Sequence, residues 1–174
     1  MKPKRSYPKA SGTYDECGTP DGAIDAIRQW LPQCVWEPAW GEGLLAASLM
    51  RRGFTVLGTP GTDFFQEGWP NGAQAIVTNP PYSIKYKWIE ACAQFGQPFA
   101  LLLPLESLGA AALWDAAGGA EPCVRIVTPR LRYKMPYKGW EGTPQFSTAW
   151  FCWGMSMPTL SRWTQPNKPT LMVS

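Results

Sequence analysis

The apolar positions of this chain recur with two different periods, and the periods alternate along its length. Ala23, Ile24, Ile27, Trp30 and Leu31 stand at helical spacing behind Thr19-Pro20. That pair suits a helix start, with threonine as cap and proline at the first helical position, where its missing N–H costs nothing. The spacing predicts a helix that buries one face and ends at Pro32. Helix-like patterns return over 44–52, closed by Gly53, and over 84–95 and 108–117. Between them lie short apolar runs at 34–36, 54–57, 75–78, 99–103, 123–127 and 147–153, which read as strands. Strands that alternate with helices predict an α/β fold, a mostly parallel central sheet with helices on both faces.

With 45% hydrophobic residues and ten tryptophans, 174 residues suffice for one core and are short for two, so a single compact domain is expected. Its expected bounds are 14–157, behind a flexible basic arm at 1–13 that carries Lys2, Lys4, Arg5 and Lys9, and ahead of a tail at 158–174. The chain contains no histidine, which excludes Ser-His and Cys-His nucleophile pairs, imidazole acid–base catalysis and any histidine-bearing metal site. Five widely spaced cysteines without a Cys-x-x-Cys read as reduced core thiols, and no metal is expected. No apolar stretch of signal-peptide or membrane-spanning length occurs, so the expectation is a cytoplasmic protein with no membrane partner.

In a parallel sheet, ligands lie beyond the carboxyl ends of the strands, so chemistry is sought in the turns that follow them. After the first strand comes Glu37-Pro38-Ala39-Trp40-Gly41-Glu42-Gly43. Gly41 and Gly43 let backbone approach a ligand, and Glu37 offers a carboxylate to a cationic or hydroxyl-bearing group; a tight strand-to-helix turn accounts for the same residues. Asp63-Phe64-Phe65 pairs a carboxylate with an apolar shelf able to hold an adenine ring by its amine and its face, or forms a solvated loop with two core phenylalanines.

The run 75–78 leads straight into Asn79-Pro80-Pro81-Tyr82. Two consecutive prolines continue neither a ladder nor a helix, so the carbonyls here are free to face a ligand. The Asn79 side-chain oxygen and the Pro80 carbonyl are two acceptors for the two hydrogens of one planar amine, drawing it toward a tetrahedral, reactive geometry. Tyr82 is placed to stack on the planar substrate. An alkylated amine is strongly acidic, so no general base is required, which agrees with a chain lacking histidine. The plainer alternative is a Pro-Pro turn that closes a strand, with Tyr82 as rim packing.

Together these segments resemble the amino-methyltransferases, specifically the adenine-N6 DNA methyltransferases and their small phage-encoded members. Thr19-Pro20 resembles the family's N-terminal cofactor motif, Glu37 to Gly43 its first S-adenosyl-L-methionine loop, and Asp63-Phe64 its adenine-contacting pair. Asn79-Pro80-Pro81-Tyr82 resembles its catalytic tetrapeptide, with Asn79 also touching the cofactor. Thr143-Pro144-Gln145-Phe146 resembles a late motif in which Phe146 walls the base pocket. The resemblance implies a Rossmann-like S-adenosylmethionine-dependent methyltransferase fold, methyl transfer to adenine N6 in DNA with the base flipped into the pocket, a place in restriction-modification or related DNA methylation, and a host-cell cytoplasmic location for a phage-encoded member. The chain departs from the family after the second strand: Gly58, Thr59 and Pro60 stand where an acidic residue usually meets the ribose.

The net charge of +3 is mild, so a DNA partner requires clustering. The densest cluster is Arg130, Arg132, Lys134 and Lys138 interleaved with Tyr133, Tyr137 and Trp140, inside a candidate target-recognition loop at 129–146. If this stretch is extended, Arg130, Arg132 and Lys134 share one face; a solvated loop with its aromatics on the sheet is the other reading. Two alternatives to the DNA enzyme stand beside it: a methyltransferase acting on RNA or a protein glutamine, and a nucleic-acid-binding module with a degenerate cofactor site.

Overall fold

The structure, a computed structural model, describes Asp15 and residues 17–134, 141–142 and 146–164. Seven strands form one sheet: β1 (Cys34–Trp36), β2 (Thr55–Leu57), β3 (Ala75–Thr78), β4 (Phe99–Pro104), β5 (Cys123–Thr128), β8 (Thr148–Trp153) and β9 (Leu160–Thr164), in the order β2-β1-β3-β4-β8-β5-β9. All neighbours pair parallel except at β8, which runs antiparallel to both β4 and β5. A separate two-stranded ribbon pairs β6 (Tyr133–Lys134) with β7 (Glu141–Gly142).

Side-chain alternation splits the core in two. Val35, Val77, Ala100, Leu102, Trp150 and Cys152 face one side, where the segment 21–30 and helix α1 (Leu44–Arg51) pack. Trp36, Ile76, Leu101, Leu103, Phe151 and Trp153 face the other, under α2 (Lys85–Gln94) and α3 (Ala111–Ala116). The central strands β4 and β8 are buried along their whole length, which is why they read as unbroken apolar runs rather than alternating ones. No helix among the described residues is long and apolar enough to cross a membrane.

Three expectations change. The helix expected from Thr19 to Pro32 is instead two 3-10 segments, Asp21–Ala26 and Arg28–Trp30, still with Ala23, Ile24, Ala26 and Ile27 buried. Side chains claim carbonyls that an α-helix would use internally: Ser48 Oγ donates to Asp21 O (2.7 Å), Trp150 Nε1 to Ala23 O (2.8 Å) and Arg125 Nε to Ala26 O (3.3 Å). Arg52, just past α1, adds a forked pair to Asp25 at 2.6 and 2.8 Å. Secondly, the helix expected over 108–117 is a 3-10 turn, Leu105–Gly109, followed by α3. Thirdly, the expected tail contributes β9, an edge strand beside β5 with Leu160 exposed and Trp163 packed on the core.

Candidate active site

β1 and β3 are sheet neighbours, so the turns that leave their carboxyl ends lie side by side. Glu37, the residue after β1, is buried, and its Oε1 accepts from the Ala39 N–H (2.9 Å) and from the hydroxyl of Thr78, the last residue of β3. Burial pushes its carboxyl up to about 8, against the downward pull of the Thr78 and Ala39 hydrogen bonds. The carboxylate expected to reach a ligand is therefore turned inward, where it ties the two turns together.

Asn79 begins the second turn. Its Nδ2 donates to Thr19 Oγ1 at 3.0 Å, while its Oδ1 is buried with no hydrogen-bond partner among the described residues. Leaving a buried acceptor unpaired costs about 1–3 kcal/mol, which a donor arriving at this corner recovers. Thr19 consequently does not cap a helix: Pro20 occupies the cap position of the 3-10 segment, without a side-chain cap, and the Thr19 hydroxyl serves Asn79. Pro80 and Pro81 lead into a single 3-10 turn, Tyr82–Ile84, whose Ser83 N–H (3.0 Å) and hydroxyl both donate to the Asp15 carboxylate.

Tyr82 sits edge-on to Phe146, ring centroids 5.8 Å apart, with its hydroxyl 3.4 Å from that of Tyr133, which donates to Thr148 Oγ1 at 3.3 Å. Burial raises the phenols of both Tyr82 and Tyr133 above their ordinary value, so both remain neutral hydrogen-bonding groups at physiological pH.

Two cavities open in front of these turns, of about 320 and 390 Å³, and Asp15, Ala39, Trp40, Gly41 and Asn79 line both. Thr19 and Glu42 belong to the first; Pro38, Asp63, Phe64 and Pro81 belong to the second. Asp63 Oδ1 accepts from the Phe65 N–H at 3.1 Å, capping a short turn. Phe64 is a core residue stacked on Trp88 (4.2 Å between centroids, 6° between planes) that also reaches the second cavity. Gly41 and Gly43 take positive φ values, 50° and 72°, and Gly43 is the cap of α1. Among the described residues the linings contain three carboxylates, Asp15, Glu42 and Asp63, and no lysine or arginine. Such walls favour a cationic ligand and disfavour a phosphate-bearing one.

The structure thus brings Thr19, Pro38, Ala39, Gly41, Asp63, Phe64 and Asn79 around one cleft and keeps Glu37 behind it. Sequence reasoning passed over Asp15 and Thr78. Thr78 carried a signal, a polar residue ending an apolar strand beside the tetrapeptide, whereas nothing in a polar N-terminal stretch marks Asp15. In the basic cluster Arg130 and Arg132 are exposed while Leu131 and Tyr133 are buried, the alternation of an extended chain. Arg130 Nε donates to Ser147 Oγ at 3.3 Å. Of the two readings of this stretch, Tyr133 follows the one that packs its aromatics inward, and its hydroxyl meets that of Tyr82. Lys134 lies on β6 opposite Glu141; Lys138, Tyr137, Trp140, residues 143–145 and the basic arm fall outside the described residues.

No family model and no curated protein matches the chain. Among solved structures it is similar to the modification subunit of a putative type I restriction enzyme from Vibrio vulnificus, with TM-score 0.49 and 12% identity over 92% of this chain and 49% of that one. It is also similar to an S-adenosylmethionine-dependent O-methyltransferase from Thermotoga maritima (TM-score 0.46, 12% identity, 87% of this chain and 67% of that one). A third is a precorrin-6y C5,15-methyltransferase from Geobacter metallireducens (TM-score 0.41, 12% identity, 75% and 85%). The fold is Rossmann-like, and its strand order, with β8 inserted antiparallel between β4 and β5, defines it.

Proposed function

We propose that this chain is an S-adenosylmethionine-dependent methyltransferase whose acceptor is the exocyclic N6 amine of adenine in DNA. One observation carries the reading: at the carboxyl end of β3, Asn79 has its amide nitrogen held by Thr19 and its oxygen buried and unpaired, beside the acidic cleft. The residues fit the cofactor. Gly41 on the lining permits close backbone approach, the carboxylates at 15, 42 and 63 suit a sulfonium and an ammonium group, and two cavities that share Asp15, Ala39, Trp40, Gly41 and Asn79 suit an elongated ligand.

Bound there, the cofactor supplies an electrophilic methyl carbon on sulfur. Asn79 Oδ1 and the Pro80 carbonyl accept the two amine hydrogens, which localises the nitrogen lone pair and stabilises the positive charge that grows on nitrogen as it bonds to carbon. Methyl transfer would leave the cofactor as a neutral thioether, the electron pair of the broken C–S bond remaining on sulfur. The proton then leaves an acidic ammonium to solvent, with no side-chain base. Tyr82 and Phe146 provide aromatic surface beside the amine, and Arg130 and Arg132 offer charge to the phosphate backbone.

Tritiated methyl transfer to unmethylated duplex DNA, single-stranded DNA, RNA and a glutamine peptide, assayed in parallel, tests this. Label is expected in DNA, on adenine N6 after hydrolysis. Incorporation only into peptide or RNA removes the DNA assignment, and no cofactor binding at millimolar concentration favours a nucleic-acid-binding module.

A further inference from the structure

Gly58 directly follows β2 and takes φ +145°, and a Cβ there would lie 2.4 Å from the Glu37 carbonyl oxygen and 2.9 Å from the Trp40 ring. Gly43, at φ +72°, would place its Cβ 2.9 Å from Trp40 Nε1. The Trp40 indole is wedged between two glycines and fills the space that any side chain after β2 would need. It also lines both cavities. A ribose in a Rossmann-like cleft is ordinarily pinned through its hydroxyls by a carboxylate at this strand end. That route is closed here. Of the other nearby carboxylates, Glu37 is held on Ala39 and Thr78, Asp15 on Ser83 and Asp63 Oδ1 on the Phe65 N–H, while Glu42 lines the first cavity and not the second, which Thr59 borders just beyond Gly58.

We propose that Trp40 is the specificity-determining residue of the cofactor cleft: its indole is an apolar wall against which the sugar of a cationic adenosyl ligand packs, so that recognition does not depend on the ribose hydroxyls. This rests on the methyltransferase reading above. Removing a hydroxyl from a ligand costs much affinity only when it leaves a buried protein acceptor unpaired, and a flat aromatic face has none to leave.

Isothermal titration calorimetry of the full chain with S-adenosylhomocysteine and its 2′-deoxy and 3′-deoxy forms is the test. The three affinities are expected to agree within about threefold, and Trp40→Ala to weaken all three at least about tenfold. Trp40→Phe, which retains an aromatic wall, should fall between, and it replaces the alanine variant if that variant does not melt cooperatively. A penalty above about tenfold for either deoxy form, or unchanged affinity in the Trp40 variants, overturns the proposal while leaving the methyltransferase reading intact. Absence of heat with all three ligands removes both.

Discussion

The turns after β1 and β3 each set one polar side chain at the same end of the sheet, Glu37 buried and Asn79 half-buried, yet they use it in opposite ways. Glu37 has its Oε1 bonded twice within the protein, whereas Asn79 has one end of its amide held and the other left open. A satisfied buried group stabilises a shape; an unsatisfied one holds free energy that a ligand releases. Under the proposed function, the difference separates the residue that builds the cleft from the residue that meets the ligand, although both stand one position beyond a strand.

Asn79→Ala attacks the open end and carries the largest expected effect. Methyl transfer in single turnover should fall on the order of a hundred- to a thousandfold, the usual loss for a preorganised polar group acting on developing charge. Cofactor affinity and melting temperature should barely move, and a variant with normal turnover would end the assignment. Changes at Glu37 should do the reverse. Its carboxyl is raised from 4.5 to about 8 in the folded protein, so the native state holds a proton that the unfolded chain releases. The associated stability is fully present below about 4.5 and is lost as the pH rises through about 8, a change of a few kcal/mol. Glu37→Gln should flatten that part of the curve in urea unfolding at pH 5, 7 and 9; a slope that survives the substitution assigns it to another group.

Thr19→Val is intermediate. It removes the acceptor for Asn79 Nδ2 at nearly constant volume and should lower kcat by about tenfold with little change in cofactor affinity, while Thr19→Ser restores turnover. A rise in cofactor Kd with kcat preserved would make Thr19 a direct cofactor contact instead. Tyr133→Phe should do least. Its links to Tyr82 and Thr148 are 3.4 and 3.3 Å, long for hydroxyl hydrogen bonds, so a loss of more than about threefold in turnover would show that this chain of hydroxyls grips Tyr82 harder than its geometry implies.

Much of this molecule is local enough to be read from the chain itself. The central strands announce themselves as apolar runs because both their faces are covered, and Asn79-Pro80-Pro81-Tyr82 is marked by covalent constraint, two locked φ angles at a strand end. The alternation of Arg130, Leu131, Arg132 and Tyr133 follows from backbone geometry alone, so its exposed and buried faces were visible as a pattern. Which face went inside was not, and Tyr133 proved to be on it.

What tertiary structure decided are the choices made between residues far apart in the chain. Glu37 turns inward because Thr78 lies on the adjacent strand, and position 58 must be glycine because the Glu37 carbonyl and the Trp40 ring lie over it. The segment 21–30 winds as 3-10 rather than α because Ser48, Arg125 and Trp150 claim its carbonyls. Period and propensity act over a few neighbouring residues, whereas the partner of a polar group is set by which elements meet in space, and that is where the roles of these particular side chains were fixed.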